Sequence, residues 1–279
     1  MEVDLSQPAV MGVINVTPDS FSDGGQFVEP DAAIAHGIRL ASEGAAILDV
    51  GGESTRPGAA PVSEAEELRR VVPVIEGLTI GLRSSPAAIS IDTRRLAVAE
   101  AALDAGASIV NDVAAFRSAP ELAGLVADRG ATCCLMHMLG EPRTMQRDPR
   151  YGDVVGEVRA FLEERLAFAV AEGVAEERIW IDPGIGFGKT LEHNLELLRR
   201  LDELVAIGRP LVVGTSRKSF LGTVAGGRPE AERLPGTIAT NVLALQRGAA
   251  IFRVHDVAPV ADALAVAAAA LAPATGGKP

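Results

Sequence analysis

Eight short runs of branched apolar residues recur along this chain, each followed by a longer amphipathic or alanine-rich stretch. That alternation constrains the fold more than any single motif. The runs fall at residues 10–15, 47–51, 88–92, 108–112, 132–137, 179–182, 210–214 and 250–254. Helices are expected between and after them, at 30–43, 63–78, 95–105, 120–129, 152–172, 191–206, 230–246 and 258–271. Short, continuously apolar runs are how parallel strands read when they are buried on both faces, and strict alternation with helices predicts a parallel sheet. A doubly wound open sheet uses the same units. Eight in uninterrupted succession favour closure into a single (β/α)8 TIM barrel, which needs about 250 residues. The 279-residue chain is therefore expected to be one barrel domain over 1–279, with a disordered tail from about Pro273.

Composition supports this reading and narrows the partners. Apolar residues make up 48% of the chain but aromatics only 4%, so the core must be built from Ala, Val, Ile and Leu. The net charge of −11 argues against nucleic acid or an anionic membrane as a partner. It leaves open an anionic small substrate, because a few Arg and Lys side chains set the potential of one cleft. Cys133 and Cys134 are adjacent within an apolar run, which is neither a disulfide framework nor a metal knuckle, and they read as buried strand residues. No basic-then-apolar segment opens the chain and no uncharged stretch of about 18 apolar residues occurs, so a soluble cytoplasmic protein is expected.

Polar residues gather where the runs end: Asn15; Asp49 and Glu53; Asp92; Asn111 and Asp112; His137; Asp182; Ser216, Arg217 and Lys218; and Arg253 with His255. In a barrel, the carboxyl ends of all strands face one mouth, where catalytic groups collect. One Asp after a strand reads equally well as a helix cap, but eight polar strand ends point to a binding site. Two carboxylates with an amide suit a flat heterocycle carrying a guanidine-like edge, through paired hydrogen bonds. Arg56, Arg217, Lys218 and Arg253 suit a phosphate or carboxylate. Two loops rich in Gly, Pro, Ser and Asp, at 15–25 and 51–58, have the composition of lids and equally of plain surface loops. The stretch 183–190 approaches a nucleotide P-loop but has Pro183 where the first Gly is required. His137 is as compatible with a core histidine as with a functional one, and no His/Cys/Glu spacing supports a tightly held zinc.

Taken together, these segments resemble the dihydropteroate synthase family of pterin-binding barrels. The matching pieces are Met11-Gly12-Val13-Ile14-Asn15-Val16-Thr17-Pro18-Asp19-Ser20-Phe21-Ser22-Asp23, then 49–58, 90–93, 111–113, 136–138, 182–189, 216–219 and 253–256, in family order. The resemblance implies that the chain joins 6-hydroxymethyl-7,8-dihydropterin pyrophosphate to p-aminobenzoate on the folate pathway, with Mg2+ as cofactor and a homodimer as assembly. It implies a pterin site of Asp92, Asn111, Asp182 and Lys218, and a pyrophosphate site of Asn15, Arg253 and His255, with Asn15 also the Mg2+ ligand. The aminobenzoate would lie near Phe21, Thr55, Pro57 and Phe187, its carboxylate close to Ser219. Asp23 and Arg56 would join Asn15, Lys218, Arg253 and His255 as catalytic groups, carried on closing loops. Sulfonamides, which mimic the aminobenzoate, are expected to compete there. Two rival readings remain. One is a methyltransferase domain acting on methyltetrahydrofolate, which has no need of a pyrophosphate site; the other is a silent pterin-binding protein.

Overall fold

The structure is a computed structural model that describes residues 3–17, 30–54, 61–83 and 85–272. Eight parallel strands and their helices follow in the expected order. The chain runs β1 (Ala9–Asn15), α1 (Pro30–Ser42), β2 (Ile47–Gly51), α2 (Glu64–Gly81), β3 (Ala88–Asp92), α3 (Leu96–Ala105), β4 (Ile109–Asp112) and α4 (Glu121–Arg129). It continues through β5 (Thr132–Met136), α5 (Val154–Ala171), β6 (Ile179–Asp182), α6 (Leu191–Arg199), α7 (Leu201–Val205) and β7 (Val212–Val213). The last turn of the pattern is α8 (Ser219–Val224), α9 (Leu234–Gln246), β8 (Ile251–Val254) and α10 (Val257–Leu271).

The strands pair in the order β6-β5-β4-β3-β2-β1-β8-β7. Between β6 and β7 the contact is one parallel bridge, Ile181 to Leu211, supported by the Ile181 N–H donating to the Pro210 carbonyl at 3.0 Å. The barrel therefore closes, by its thinnest seam, between the sixth and seventh strands. The seventh strand is shorter than its sequence predicts. Pro210 has no N–H to donate, and only Val212 and Val213 keep a strand ladder, to Ile251 and Phe252.

Period-two alternation sorts each strand into an inner and an outer row. Met11, Ile47, Ala88, Ile109, Cys134, Trp180, Val212 and Ile251 form a small cluster inside the barrel. Their neighbours Val10, Leu48, Ile89, Val110, Cys133, Ile181, Val213 and Phe252 belong to the large core between sheet and helices. The two adjacent cysteines are thus both buried strand residues, one on each face, and burial pushes both thiols up in pKa.

Local signals set the helix boundaries. Ser63 caps α2 by accepting the Glu66 N–H, and Thr190 with His193 forms a capping box at α6. The single helix expected over 191–206 is instead two. Arg200 leaves helical geometry at φ −110°, and its guanidinium binds Glu203 at 2.7 Å and Asp153 at 3.0 Å. The short α8, directly after Lys218, is an element that no apolar periodicity announced. The tail from Pro273 lies outside the described residues. No helix among the described residues is long and apolar enough to cross a membrane.

Candidate active site

Strand register builds the site. Asn15, Gly51, Asp92 and Asn111 are successive register partners across β1, β2, β3 and β4. Two residues back along β2 and β3 lie Asp49 and Ser90, both fully buried. Asp49 is the hub of this layer. It accepts the Ser90 hydroxyl at 2.7 Å, the Asn111 amide at 3.1 Å and Arg253 Nε at 2.6 Å. Arg253 also donates to Asp92 at 2.8 Å, so one guanidinium bridges two carboxylates. Burial opposes the Arg253 charge, but Asp49 and Asp92 outweigh it and hold its pKa above the ordinary value. Burial pushes Asp92 up to about 7, although Arg253 pulls the other way. The second Nη of Arg253 donates to no group among the described residues and lines the open cleft.

The opposite wall comes from the loops after β5, β6 and β7. Asp182 accepts the Gly184 N–H at 2.7 Å, which ties its carboxylate to the start of a glycine-rich loop. That loop passes so close to β5 that a Cβ on Gly184, at φ +64°, would collide with the His137 carbonyl oxygen. Glycine at 186, φ +84°, likewise leaves room for the Lys218 side chain. The Lys218 ammonium donates to the Ile185 carbonyl and sits 4.7 Å from the Phe187 ring centroid, a cation–π contact. Burial brings Lys218 down to about 8 against the pull of Asp182, while burial raises Asp182. His137 is 6% exposed, stacks edge-on with Phe161, and meets Lys189 Nζ at 2.9 Å. Burial, with the neighbouring Lys189, pushes its pKa down to about 2, and the ring packs against Phe161 and Tyr151.

The β7 and β8 loops are locked together. Ser216 accepts the His255 N–H at 3.1 Å and meets its ring nitrogen at 3.0 Å. Arg217, in left-handed geometry at φ +56°, binds Asp256 in a two-pronged ion pair of 2.8 and 2.5 Å. Arg217 therefore ties the two loops together while still lining the cleft. Ser219 opens α8 at the cleft wall.

The expected groups that fall among the described residues come together at the barrel mouth. Asn15, Asp92, Phe187, Lys218, Ser219, Arg253 and His255 line one cleft of about 700 Å3, while Asn111 and Asp182 lie beside it, each 6% exposed. Phe21, Asp23, Thr55, Arg56 and Pro57 lie outside the described residues. Sequence reasoning missed three groups. Asp49 was visible as a strand-end acid, but only the period-two position, inward and below Asp92, marks it as the hub. Lys189 is 3% exposed and holds His137 and the Phe187 carbonyl. The 223–235 segment, which carries none of the motifs above, brings Thr223, Glu230 and Arg233 to the cleft, with Arg233 donating to the Arg217 carbonyl at 2.9 Å.

Comparison with known proteins agrees with this geometry. The model of the pterin binding enzyme family matches residues 11–255. A dihydropteroate synthase of Neisseria meningitidis serogroup C is 49% identical over 268 residues, covering 94% of this chain and 93% of its own. Among solved structures, the Yersinia pestis dihydropteroate synthase in complex with a sulfonamide drug superposes with a TM-score of 0.90 at 44% identity, covering 97% of this chain and 96% of that one. The Xanthomonas albilineans dihydropteroate synthase in complex with 7,8-dihydropteroate gives a TM-score of 0.86 at 45% identity, over 97% and 96%. The chain thus belongs to the dihydropteroate synthase family of pterin-binding enzymes.

Proposed function

We propose a division of labour across the cleft, with the pterin held at Asp92, Asn111, Asp182 and Lys218, the pyrophosphate at Asn15, Arg253 and His255, and the aminobenzoate toward Phe187 and Ser219. The chain is a transferase that condenses 6-hydroxymethyl-7,8-dihydropterin pyrophosphate with p-aminobenzoate, giving 7,8-dihydropteroate and pyrophosphate in folate biosynthesis. One observation carries the assignment: the Asn15 amide from β1, the Asp92 carboxylate from β3, Lys218 from the loop after β7 and Arg253 from β8 share a single cleft. Carboxylates accept the N–H groups of a pterin edge in pairs, while Arg253 and His255 oppose charge gathering on a leaving pyrophosphate. The rival methyltransferase has no need of that cationic end, and the silent binding protein is the alternative that the assay below discriminates.

In the proposed sequence the C–O bond to pyrophosphate breaks first and its electron pair leaves with the phosphate. The arylamine lone pair then forms the C–N bond and the nitrogen loses a proton. No strong base is required, since an arylamine is a free nucleophile at neutral pH. Exclusion of water protects the pterin cation in between. Mg2+ is proposed to arrive with the pyrophosphate, with the hard amide oxygen of Asn15 as protein ligand, and would help neutralise the leaving group. The donor set fits that mode: among the described residues no cluster of three or more His, Cys, Asp or Glu forms a metal cage, and Mg2+ commonly uses one or two protein ligands plus phosphate oxygens. Asp23 and Arg56 are proposed as loop residues of the same reaction, with Phe21, Thr55 and Pro57 beside the aminobenzoate. A sulfonamide is proposed to enter the aminobenzoate end. We further propose one catalytic domain over the chain, a cytoplasmic location, and a homodimer, for which exposed Leu243 on α9 and Val266 on α10 are candidate contacts.

The test is pyrophosphate release from the purified protein with dihydropterin pyrophosphate, Mg2+ and p-aminobenzoate, repeated with Arg253→Ala and Asp92→Ala. Product that depends on the aminobenzoate and collapses in both variants supports the assignments. Pterin binding without turnover by folded protein favours the silent reading.

A further inference from the structure

The end of β4 carries two polar residues that face opposite ways. Asn111 faces the barrel interior and Asp49, while Asp112 faces outward and is fully buried. Asp112 has no ion pair among the described residues. Its two oxygens instead accept backbone N–H groups, Oδ1 from Ala114 and Oδ2 from Phe116, both at 2.7 Å. The loop between those donors is unusual. Ala115 and Phe116 are consecutive non-glycine residues in left-handed geometry, at φ 51° and 62°, a conformation L-residues adopt rarely because Cβ crowds the following carbonyl. Strain of this kind persists only where the surroundings over-determine it, and it concentrates at functional sites.

Here the determinants can be named. Besides Asp112, Arg165 on α5 donates to the Ala115 carbonyl at 2.8 Å, and Arg117 donates to the carbonyls of Ala114 at 3.1 Å and Met138 at 2.9 Å. Both guanidiniums stack on rings of α5, Arg117 over Phe161 and Arg165 over Phe168. The Phe116 side chain is fully buried in the outer core. What this clamp sets at the barrel mouth is Val113, which packs with Met136, Met138 and Phe187 and lines a smaller pocket beside Asp92, and Asn111, which pairs with Asp92 in register.

A buried carboxylate without an ionic partner is a costly way to fill space, and an apolar side chain would do so more cheaply. Two acceptor oxygens spaced to bind two N–H groups are what only an acid supplies at that position. We propose that Asp112 is a positioning residue for the pterin end of the site, holding the left-handed turn that fixes Asn111 and Val113. The inference rests on the assignment of Asn111 to the pterin.

Asp112→Asn keeps the shape but turns one acceptor into a donor facing an N–H. Steady-state kinetics should show the KM for dihydropterin pyrophosphate raised about 10-fold or more, with the KM for p-aminobenzoate within about twofold. Adding Ala115→Gly, which relieves one left-handed residue, should recover threefold or more of the loss, about 0.6 kcal/mol. Arg165→Lys, which withdraws the Nε donor to the Ala115 carbonyl and the guanidinium stacked on Phe168 but leaves Asp112 in place, should raise the same KM by a smaller factor and serves if Asp112→Asn does not fold. Both KM values moving together, or no recovery with glycine, would overturn the positioning role. Asn111→Ala, followed by direct calorimetry with dihydropterin pyrophosphate, separates the two claims. Unchanged binding there defeats the Asn111 assignment, whereas loss there with none in Asp112→Asn defeats the present inference alone.

Discussion

Two layers of the same barrel, one residue pair apart along the strands, have opposite chemistry. The lower layer holds Met11, Ile47, Ala88, Ile109, Trp180 and Ile251, all apolar and buried. Two residues toward the mouth, the same strands present Val13, Asp49, Ser90, Asn111, Asp182 and Arg253. The sheet geometry is shared and only the side chains change. The lower layer closes the barrel through packing that needs no partner. The upper layer and the mouth above it bury charges that the protein compensates unevenly: Arg253 is held charged by Asp49 and Asp92, whereas burial raises Asp92 and Asp182 and lowers Lys218. Apolar packing is concentrated in one layer and buried polar groups in the other, which predicts that stability and ligand affinity separate along the same line.

That contrast can be broken from either side. The largest effect is expected from Asp182→Asn at the mouth. A pocket group built to accept N–H donors rejects a substrate strongly when its polarity is inverted, so kcat/KM should fall about 10³-fold, near 4 kcal/mol. Chemical denaturation should move by less than about 1 kcal/mol, because the lost charge was itself costly to bury. A large loss of stability in that variant would erase the distinction between the layers. In the lower layer, Ile47→Ala should cost about 3 kcal/mol of unfolding free energy by leaving a cavity, while kcat/KM stays within about twofold; loss of pterin affinity in folded protein would show that the layers are coupled. The smallest effect is titration. Asp92 must be anionic to accept paired N–H groups, and its raised pKa of about 7 means it gains a proton as pH falls through that value. Pterin affinity measured by calorimetry should therefore drop about tenfold per pH unit below the midpoint. Asp49 helps raise Asp92, so Asp49→Asn should move the midpoint to lower pH, and a midpoint that stays put would remove Asp92 as the titrating group.

Much of this was legible in the chain itself. Branched apolar runs and their spacing gave eight strands with ends displaced by at most two residues, because parallel strands inside a barrel carry strong local patterning. Asn15, Asp92, Asn111 and Asp182 were readable as mouth residues because they end those runs. Asp49 was underrated because its importance comes from contacts to Ser90, Asn111 and Arg253, which lie 41, 62 and 204 residues away. Nothing local encodes such distances. The Arg217 ion pair was unreadable for the same reason, since its partner Asp256 lies 39 residues on. The break at Arg200 and the short α8 depend on side-chain contacts that hydrophobic periodicity does not register. The expectations for Phe21, Asp23, Thr55, Arg56 and Pro57 rest on loop motifs, and those residues lie outside the described ones.

The narrow seam between β6 and β7 bears on how such a barrel meets its substrate. Asp182 ends the strand on one side of it, and Lys218 follows the strand on the other. Strand pairing crosses that gap by a single bridge, Ile181 to Leu211, where every other neighbouring pair of strands has a ladder, and Lys218 adds its contacts to the Ile185 carbonyl and the Phe187 ring. On the proposed assignment, a small molecule gripped by both Asp182 and Lys218 would act as a removable rivet across the joint. Loading the enzyme would then fasten the cylinder, and product departure would leave it free to breathe at that joint before the next turnover.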